Sequence, residues 1–308
     1  ATSARRLAKR IETLSEGLIA IEVFSAGEIV PAFSIFDAVS IGTVEMGHSA
    51  ALFNAGKSPA SAIFTTVPFG LSPLSHLAWL EAGGGQALWD NLYSDFALKP
   101  FVGGNTGASL GGWFRKPLRH LDEIKGLRLR VTGMGAELYR RLGAVPQSIP
   151  PGDVFPALER GTIDAVELLG PMNDRDLGLY RIAPYVMMPG FNKPNGVSEC
   201  LLRQQIFADL PESLQRVIEN ACAAEHATAL AEAQLLQAEA LTAIAEQGVQ
   251  FITPPQGLLE QARIVTADIM QDTATTSAKA RAVVESYLSA QNRMRVWERL
   301  TYLPASNL

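Results

Sequence analysis

Two charged side chains stand where a folded chain must find a use for them. Arg130 lies near the end of the run LRLRV, and Glu167 near the end of TIDAVEL, each inside a mostly apolar stretch. A carboxylate buried there costs several kcal/mol unless something answers it. An arginine in the same crevice offers a planar fork that meets a carboxylate in two parallel hydrogen bonds. Two uses are open: the two residues pair with each other, or they serve a ligand. Position at strand ends favours the ligand, because open parallel α/β sheets bind ligands at the carboxyl ends of their strands.

The surrounding elements supply those strand ends. LRLRV alternates as a strand, MGAELYRRLG reads as a helix closed by Gly143, and VPQSI is a short strand. Asp153 then caps a helix, VFPALER, with Pro156 in its first turn and Gly161 closing it, and Thr162–Leu168 follows as a strand. This β-α-β-α-β succession implies a parallel sheet with right-handed crossovers, so both side chains can point into one crevice. Upstream, the pattern predicts a helix over 4–16, a strand over IAIEVF, a helix over 35–40, and a helix over 74–95 interrupted by the glycines 83–85. Downstream, one long helix runs from about 211 to 247 and a second helical tract from about 257 to 299.

The 308 residues, 47% apolar and 19% charged, suffice for two domains or one large α/β unit. With net charge −5 and no Lys/Arg run interleaved with aromatics, nucleic acid is excluded as a partner. No apolar stretch approaches the roughly 20 residues of a membrane span. The first residues, ATSARRLAKR, read as helix and not as a leader, which implies a cytoplasmic protein or a mature chain whose leader has been removed. Cys200 and Cys222 share no C-x-x-C spacing, and whether they pair stays open. The four histidines form no metal pair at i, i+4 and read as surface or satisfied core residues.

Several motifs fail at single positions. GGNTGASLGG has no Lys before Ser/Thr and fits neither nucleotide pattern. GMGAEL follows a strand and opens a helix, with Asp153 about 20 residues on, but Leu138 occupies the third glycine position. It supports an alternative, an NAD(P)-dependent α/β oxidoreductase. ALFNAGKS and GHSAA would be a P-loop and a nucleophile elbow only with glycine at Ala51; a hydrolase built on Ser49 is the third reading.

Taken together, GNTGASLGGWFRKPL, HLDEIKGLRLRV, GDVFPALERGTIDAVE and the PGF segment resemble a known family, with VFSAGEIVPAF, GHSAALFNAGKSPA, PFGLSP and GGGQALWDNLY matching as well. The chain resembles the solute-binding proteins (DctP family) of tripartite ATP-independent periplasmic (TRAP) transporters, in particular the subgroup that binds 2-oxo acids. The resemblance implies a two-lobed α/β fold that closes over a small organic monocarboxylate and delivers it to a membrane permease, without catalysis. It implies lobe I from 1–102 with 197–252, lobe II from 103–196, and a C-terminal helical segment, 253–308, packing across the lobes and into a homodimer. It also implies a periplasmic location and a first strand ahead of the first helix.

In such proteins the strand-end arginine of the KGLRLR motif, here Arg130, clamps the ligand carboxylate. Glu167 and the backbone carbonyl of Leu168 would hold a sodium or calcium ion, with no further cofactor required. Asn105, Phe191 and Asn192 fall among ligand-contacting positions, Phe191 being equally open to core packing, while Trp113 reads as structural. The chain departs from the subgroup at Ser109, where a glutamine contacts ion and ligand; at Leu168, where a tryptophan follows the glutamate; and at Asn54, where the run is tyrosine-rich. An ion lacking the amide oxygen is under-coordinated. With Ser109 and Asn54 reading the rest of the solute, the expected ligand is a 2-oxo acid or a larger, aromatic carboxylate.

Overall fold

The computed structural model describes residues 2–301, so the end of the expected C-terminal segment, 302–308, lies outside the described residues. Helix α1 (Thr2–Leu14) buries Leu7, Ala8 and Ile11 at helical spacing, and Gly17, with φ 82°, turns the chain. The strand expected over IAIEVF does not form: residues 19–24 join no sheet among the described residues. Alternation suits an extended chain, but a strand also needs a neighbour to complete its ladder. Helix α2 (Ile35–Ile41) stops at left-handed Gly42, and β1 (Met46–Ser49) follows. Helices α3 (Pro73–Ala82) and α4 (Gly85–Tyr93) are separated at the expected glycines; Ser72 Oγ caps α3 by accepting from Ser75 N, with Pro73 at the first position.

The remaining elements are β2 (Leu98–Asn105), β3 (Trp113–Phe114), β4 (Arg128–Arg130), α5 (Gly133–Arg141), β5 (Val145–Gln147), α6 (Pro151–Glu159), β6 (Ala165–Val166) and α7 (Pro171–Asp176). Then come β7 (Tyr185–Met187), β8 (Val197–Arg203), α8 (Gln204–Asp209), α9 (Glu212–Ala245), β9 (Gln250–Ile252), α10 (Leu258–Thr275) and α11 (Ala278–Thr301). Two sheets define two lobes. One is antiparallel, in the order β1-β8-β2; the other runs β5-β4-β6-β3-β7-β9, with β4 parallel to both β5 and β6. The expected parallel unit is therefore present, with β4 between its partners. β9 pairs with β7, so the end of the stretch expected in lobe I, 197–252, belongs to the other sheet.

Two local expectations change. Helix α6 starts at Pro151, so Asp153 stands in its first turn instead of capping it, and Pro156 falls inside the helix. Proline is pre-set for the first helical position, and Pro151 uses that preference. The last helical tract breaks at Thr276–Ser277, where Ser277 Oγ accepts from Ala280 N at 3.0 Å and starts α11.

Three elements tie the lobes together. At 34 residues α9 is roughly 51 Å long, and it packs on α1 and β2 in one lobe and on α7 in the other. Helices α10 and α11 pack on each other, α10 against α5 and α11 against α3 and α4. Cys200 and Cys222 are buried free thiols between β8 and α9. His76 departs from the expected satisfied histidine: it is fully buried, neither ring nitrogen has a partner among the described residues, and burial pushes its pKa down to about 3.

Candidate functional site

The four charges of LRLRV and TIDAVEL divide into two pairs by depth. Arg128 and Asp164, half exposed at the strand beginnings, form a bidentate ion pair at 2.6 and 2.8 Å. Arg130 and Glu167, at the strand ends, are 2% and 4% exposed, yet their charged groups are not hydrogen-bonded to each other. Arg130 Nη1 donates to the Glu167 backbone carbonyl at 2.9 Å and Nε to the Ile149 carbonyl at 2.9 Å. Nη2 has no protein acceptor among the described residues. Arg130 and Glu167 therefore do not pair through their charged groups: neighbouring carbonyls hold the guanidinium instead.

What faces the Glu167 carboxylate is Lys193, which sequence reasoning missed. Its Nζ donates to the Leu168 carbonyl at 2.5 Å and lies 3.7 Å from Glu167 Oε1. Burial pushes the Lys193 pKa down, and the Glu167 carboxylate pulls it back up. The lysine arrives on one of the chain crossings between the lobes, of which α9, leading to β9, is another. Residues 105–111 and 187–197 run side by side, joined by Thr106 N to Gly196 O at 2.9 Å, Ser109 N to Lys193 O at 3.0 Å, and Gly111 N to Met187 O at 2.9 Å. Gly190 permits this approach, since a Cβ there would meet Ser109 O at 2.1 Å. Ser109 Oγ reaches the Lys193 carbonyl at 3.2 Å and Glu167 Oε1 at 3.4 Å.

Around this junction buried polar atoms lack partners among the described residues: the Tyr139 hydroxyl, both amide atoms of Asn192, and Asn195 Nδ2. Each such group costs about 1–3 kcal/mol when left unpaired, so a polar solute that bonds to them gains what they lack. Asn105, expected at the site, donates to Asn195 Oδ1 at 2.9 Å. Phe191 stacks on Phe69 with ring centroids 5.1 Å apart and lies 6.4 Å from the Tyr139 ring. Trp113 is structural as expected: its indole donates to Asp174 Oδ2 at 2.8 Å, and burial pushes the Asp174 pKa up to about 7.

Asn54 is committed elsewhere. Its Nδ2 donates to Glu199 Oε1 at 3.0 Å, next to the Tyr93 hydroxyl, and no hydrogen bond joins it to the Arg130–Glu167 group among the described residues. Glu199, fully buried on β8, also accepts from Tyr93 OH at 3.0 Å, and burial pushes its pKa up to about 8. A carboxyl whose folded pKa exceeds its unfolded value stabilises fully below the unfolded pKa and loses that contribution as pH rises through the folded one. Glu199→Gln is therefore expected to unfold with less pH dependence than the parent between pH 5 and 8. It gains on the order of 2–4 kcal/mol relative to it by pH 8 in urea titrations. Parallel pH dependence in the two proteins would refute this.

The ion implied by the resemblance does not fit these residues. Its two expected donors, the Glu167 carboxylate and the Leu168 carbonyl, already face the Lys193 ammonium, and Ser109 Oγ accompanies the Lys193 carbonyl. A calcium ion takes 6–8 oxygen ligands, and a cationic nitrogen stands here instead. The dinucleotide reading fails on geometry too. A Cβ at Gly133 would meet Leu52 Cβ at 2.8 Å, so the glycine accommodates a side chain of the other lobe, and Leu138 is wholly buried. Ser49 lies within β1, in register with Glu199, and no histidine is bonded to it among the described residues. A cavity of about 440 Å³ between α5 and α10, lined by Ala55, Pro59, Met134 and Ile269, contains neither Arg130 nor Glu167.

Residues 1–276 match the family described as bacterial extracellular solute-binding protein, family 7 (DctP). A monocarboxylate 2-oxoacid-binding periplasmic protein of Nostoc sp. is 35% identical over 304 residues, 99% of this chain and 84% of that protein. A TRAP transporter solute-binding protein of Bordetella bronchiseptica, a mixed-occupancy dimer with copurified calcium and picolinate, superposes with a TM-score of 0.96 at 32% identity, over 99% of this chain and 91% of that one. A TRAP periplasmic solute-binding protein of Pseudoalteromonas atlantica, with bound sodium and pyruvate, superposes with a TM-score of 0.93 at 32% identity, over 97% and 91%.

Proposed function

Because the chain belongs to the DctP family of extracellular solute-binding proteins, we propose that it captures a small organic monocarboxylate between its lobes, in the periplasm, and delivers it to a TRAP permease. A binding protein of this family is a receptor and not an enzyme, and the oxidoreductase and hydrolase readings fall with it. Lobe I centres on β1, β2 and β8, and lobe II on the six-stranded sheet, with α9, α10 and α11 spanning both.

One observation carries the reading: two buried cations, Arg130 and Lys193, flank one carboxylate, Glu167, at the strand ends. With the buried Asp174 carboxyl, whose pKa burial pushes up to about 7, in its protonated form, the two cations exceed Glu167 by one charge, which suits a monoanion, and the free Nη2 of Arg130 supplies a donor. The unpaired atoms of Tyr139, Asn192 and Asn195 offer the hydrogen bonds that would read the rest of the solute. Phe191, stacked on Phe69 and near the Tyr139 ring, would offer an apolar surface to a short alkyl chain or a ring. Closure over the solute follows from the two crossings at 105–111 and 187–197, the natural hinge positions. The exposed Val296, Trp297 and Leu300 of α11 suit a homodimer contact. Among the described residues no helix is long and apolar enough to cross a membrane.

A thermal-shift screen with 2-oxo acids, 2-hydroxy acids, aromatic and heteroaromatic monocarboxylates, dicarboxylates and sugars tests this. A solute at 100 times its Kd adds roughly 2.7 kcal/mol of stability, a clear rise in melting temperature. The expected hits are monocarboxylates. Hits confined to sugars or dicarboxylates would overturn the reading.

A further inference from the structure

We propose that Lys193 is the resident cation of the site: its ammonium stands between the Glu167 carboxylate and the Leu168 carbonyl in place of a metal ion, and hydrogen-bonds the solute directly. This deepens the carboxylate reading above and rests on it. The relatives with bound picolinate and pyruvate hold calcium or sodium as well as the organic acid. In this chain the two groups expected to ligate such an ion meet Nζ instead, at 2.5 Å from the carbonyl and 3.7 Å from the carboxylate.

The lysine is built into the fold and is not a surface side chain folded inward. It is 6% exposed and is the only charged residue between Arg181 and Glu199. Its backbone is pinned to the neighbouring crossing by Ser109, whose N–H and hydroxyl both donate to the Lys193 carbonyl. That crossing can lie flush because Gly190 and Gly196 face Ser109 and Thr106 without a Cβ. The short Ser109 side chain leaves room for the lysine stem where a longer amide would compete for the same carboxylate.

The substitution has consequences for the solute. An ammonium has three N–H donors and no acceptor. Leu168 O takes one and Glu167 attracts a second, leaving one for the solute. Arg130 and Lys193 donate to the consecutive carbonyls of Glu167 and Leu168, and the two cations are near enough for the Arg130 charge to act on Lys193. The matching solute is a monocarboxylate with a hydrogen-bond acceptor next to its carboxylate: a 2-oxo group, a 2-hydroxyl or a ring nitrogen. Arg130 takes the carboxylate and Lys193 the acceptor. No ion is required.

The test is calorimetric titration of pyruvate and picolinate into the full chain in three buffers: sodium-free with chelator, with sodium, and with calcium. Wild-type affinities are expected to agree within about twofold across the three. Lys193→Ala, with folding checked by circular dichroism, is expected to lose at least tenfold in chelator. A tenfold loss for the wild type on chelation in sodium-free buffer overturns the proposal, as does a Lys193→Ala variant that keeps wild-type affinity in chelator. If neither acid binds the wild type in any buffer, the carboxylate reading is what has failed, and calcium titrated alone decides the cation question. Calcium uptake by wild type that Glu167→Gln abolishes overturns the proposal; no uptake by wild type together with uptake by Lys193→Ala supports it.

Discussion

Arg130→Ala is expected to weaken carboxylate binding by about 2–5 kcal/mol, roughly 30-fold to several thousand-fold. The magnitude follows from burial. Arg130 is 2% exposed, so a carboxylate that reaches it has left water, and removal of the fork leaves that charge unpaired. The guanidinium is also pre-placed: the Ile149 and Glu167 carbonyls hold Nε and Nη1, so little freedom is lost when a solute bonds to the remaining edge. Calorimetry with the strongest monocarboxylate of the thermal screen measures the loss. Arg130→Lys separates charge from shape. It keeps the cation but forfeits the planar fork, and should fall between the parent and the alanine variant. An Arg130→Ala protein with unchanged affinity would move the site elsewhere.

Glu167→Ala is expected to destabilise the protein by about 3–5 kcal/mol, measured as the shift in urea unfolding free energy without solute. Glu167 is the carboxylate 3.7 Å from buried Lys193, and its removal leaves the Lys193 and Arg130 cations buried without it. Asp164, three residues earlier, is the internal control. Its ion pair with Arg128 is half exposed, and pairs of that kind contribute about 0–1 kcal/mol. The two alanine variants should therefore differ by several-fold in cost although both delete an acid from one short stretch. Equal costs would mean that water reaches Glu167 and screens the cations.

Where residues announce themselves locally, the structure agrees with the chain's pattern. Gly42, Gly143 and Gly248 lie just past helix ends, each with positive φ, and the glycines between α3 and α4 break the helix where expected. The β4-α5-β5-α6-β6 unit is legible because β4 and α5 keep their periods, and its strand ends place Arg130 and Glu167 on one edge. β8 escapes such reading. VSECLLR carries Glu199 at a wholly buried position, so apolar alternation is interrupted by an acid that Asn54 and Tyr93, distant in sequence, accommodate. IAIEVF errs in the opposite direction, having the pattern of a strand without a partner.

By itself the amino-acid sequence determined the family, the parallel unit, and the two charged residues that stand at its strand ends. These depend on period, chain punctuation and residue type over short windows. The tertiary structure alone decided which group answers Glu167. Lys193 lies in an irregular crossing without period, and its partner carbonyl at Leu168 is 25 positions away. The two meet because the crossings at 105–111 and 187–197 run side by side between the lobes, with Gly190 pressed against Ser109. A charge in an irregular segment finds its role from whatever the chain folds against it, and no local pattern encodes that neighbour.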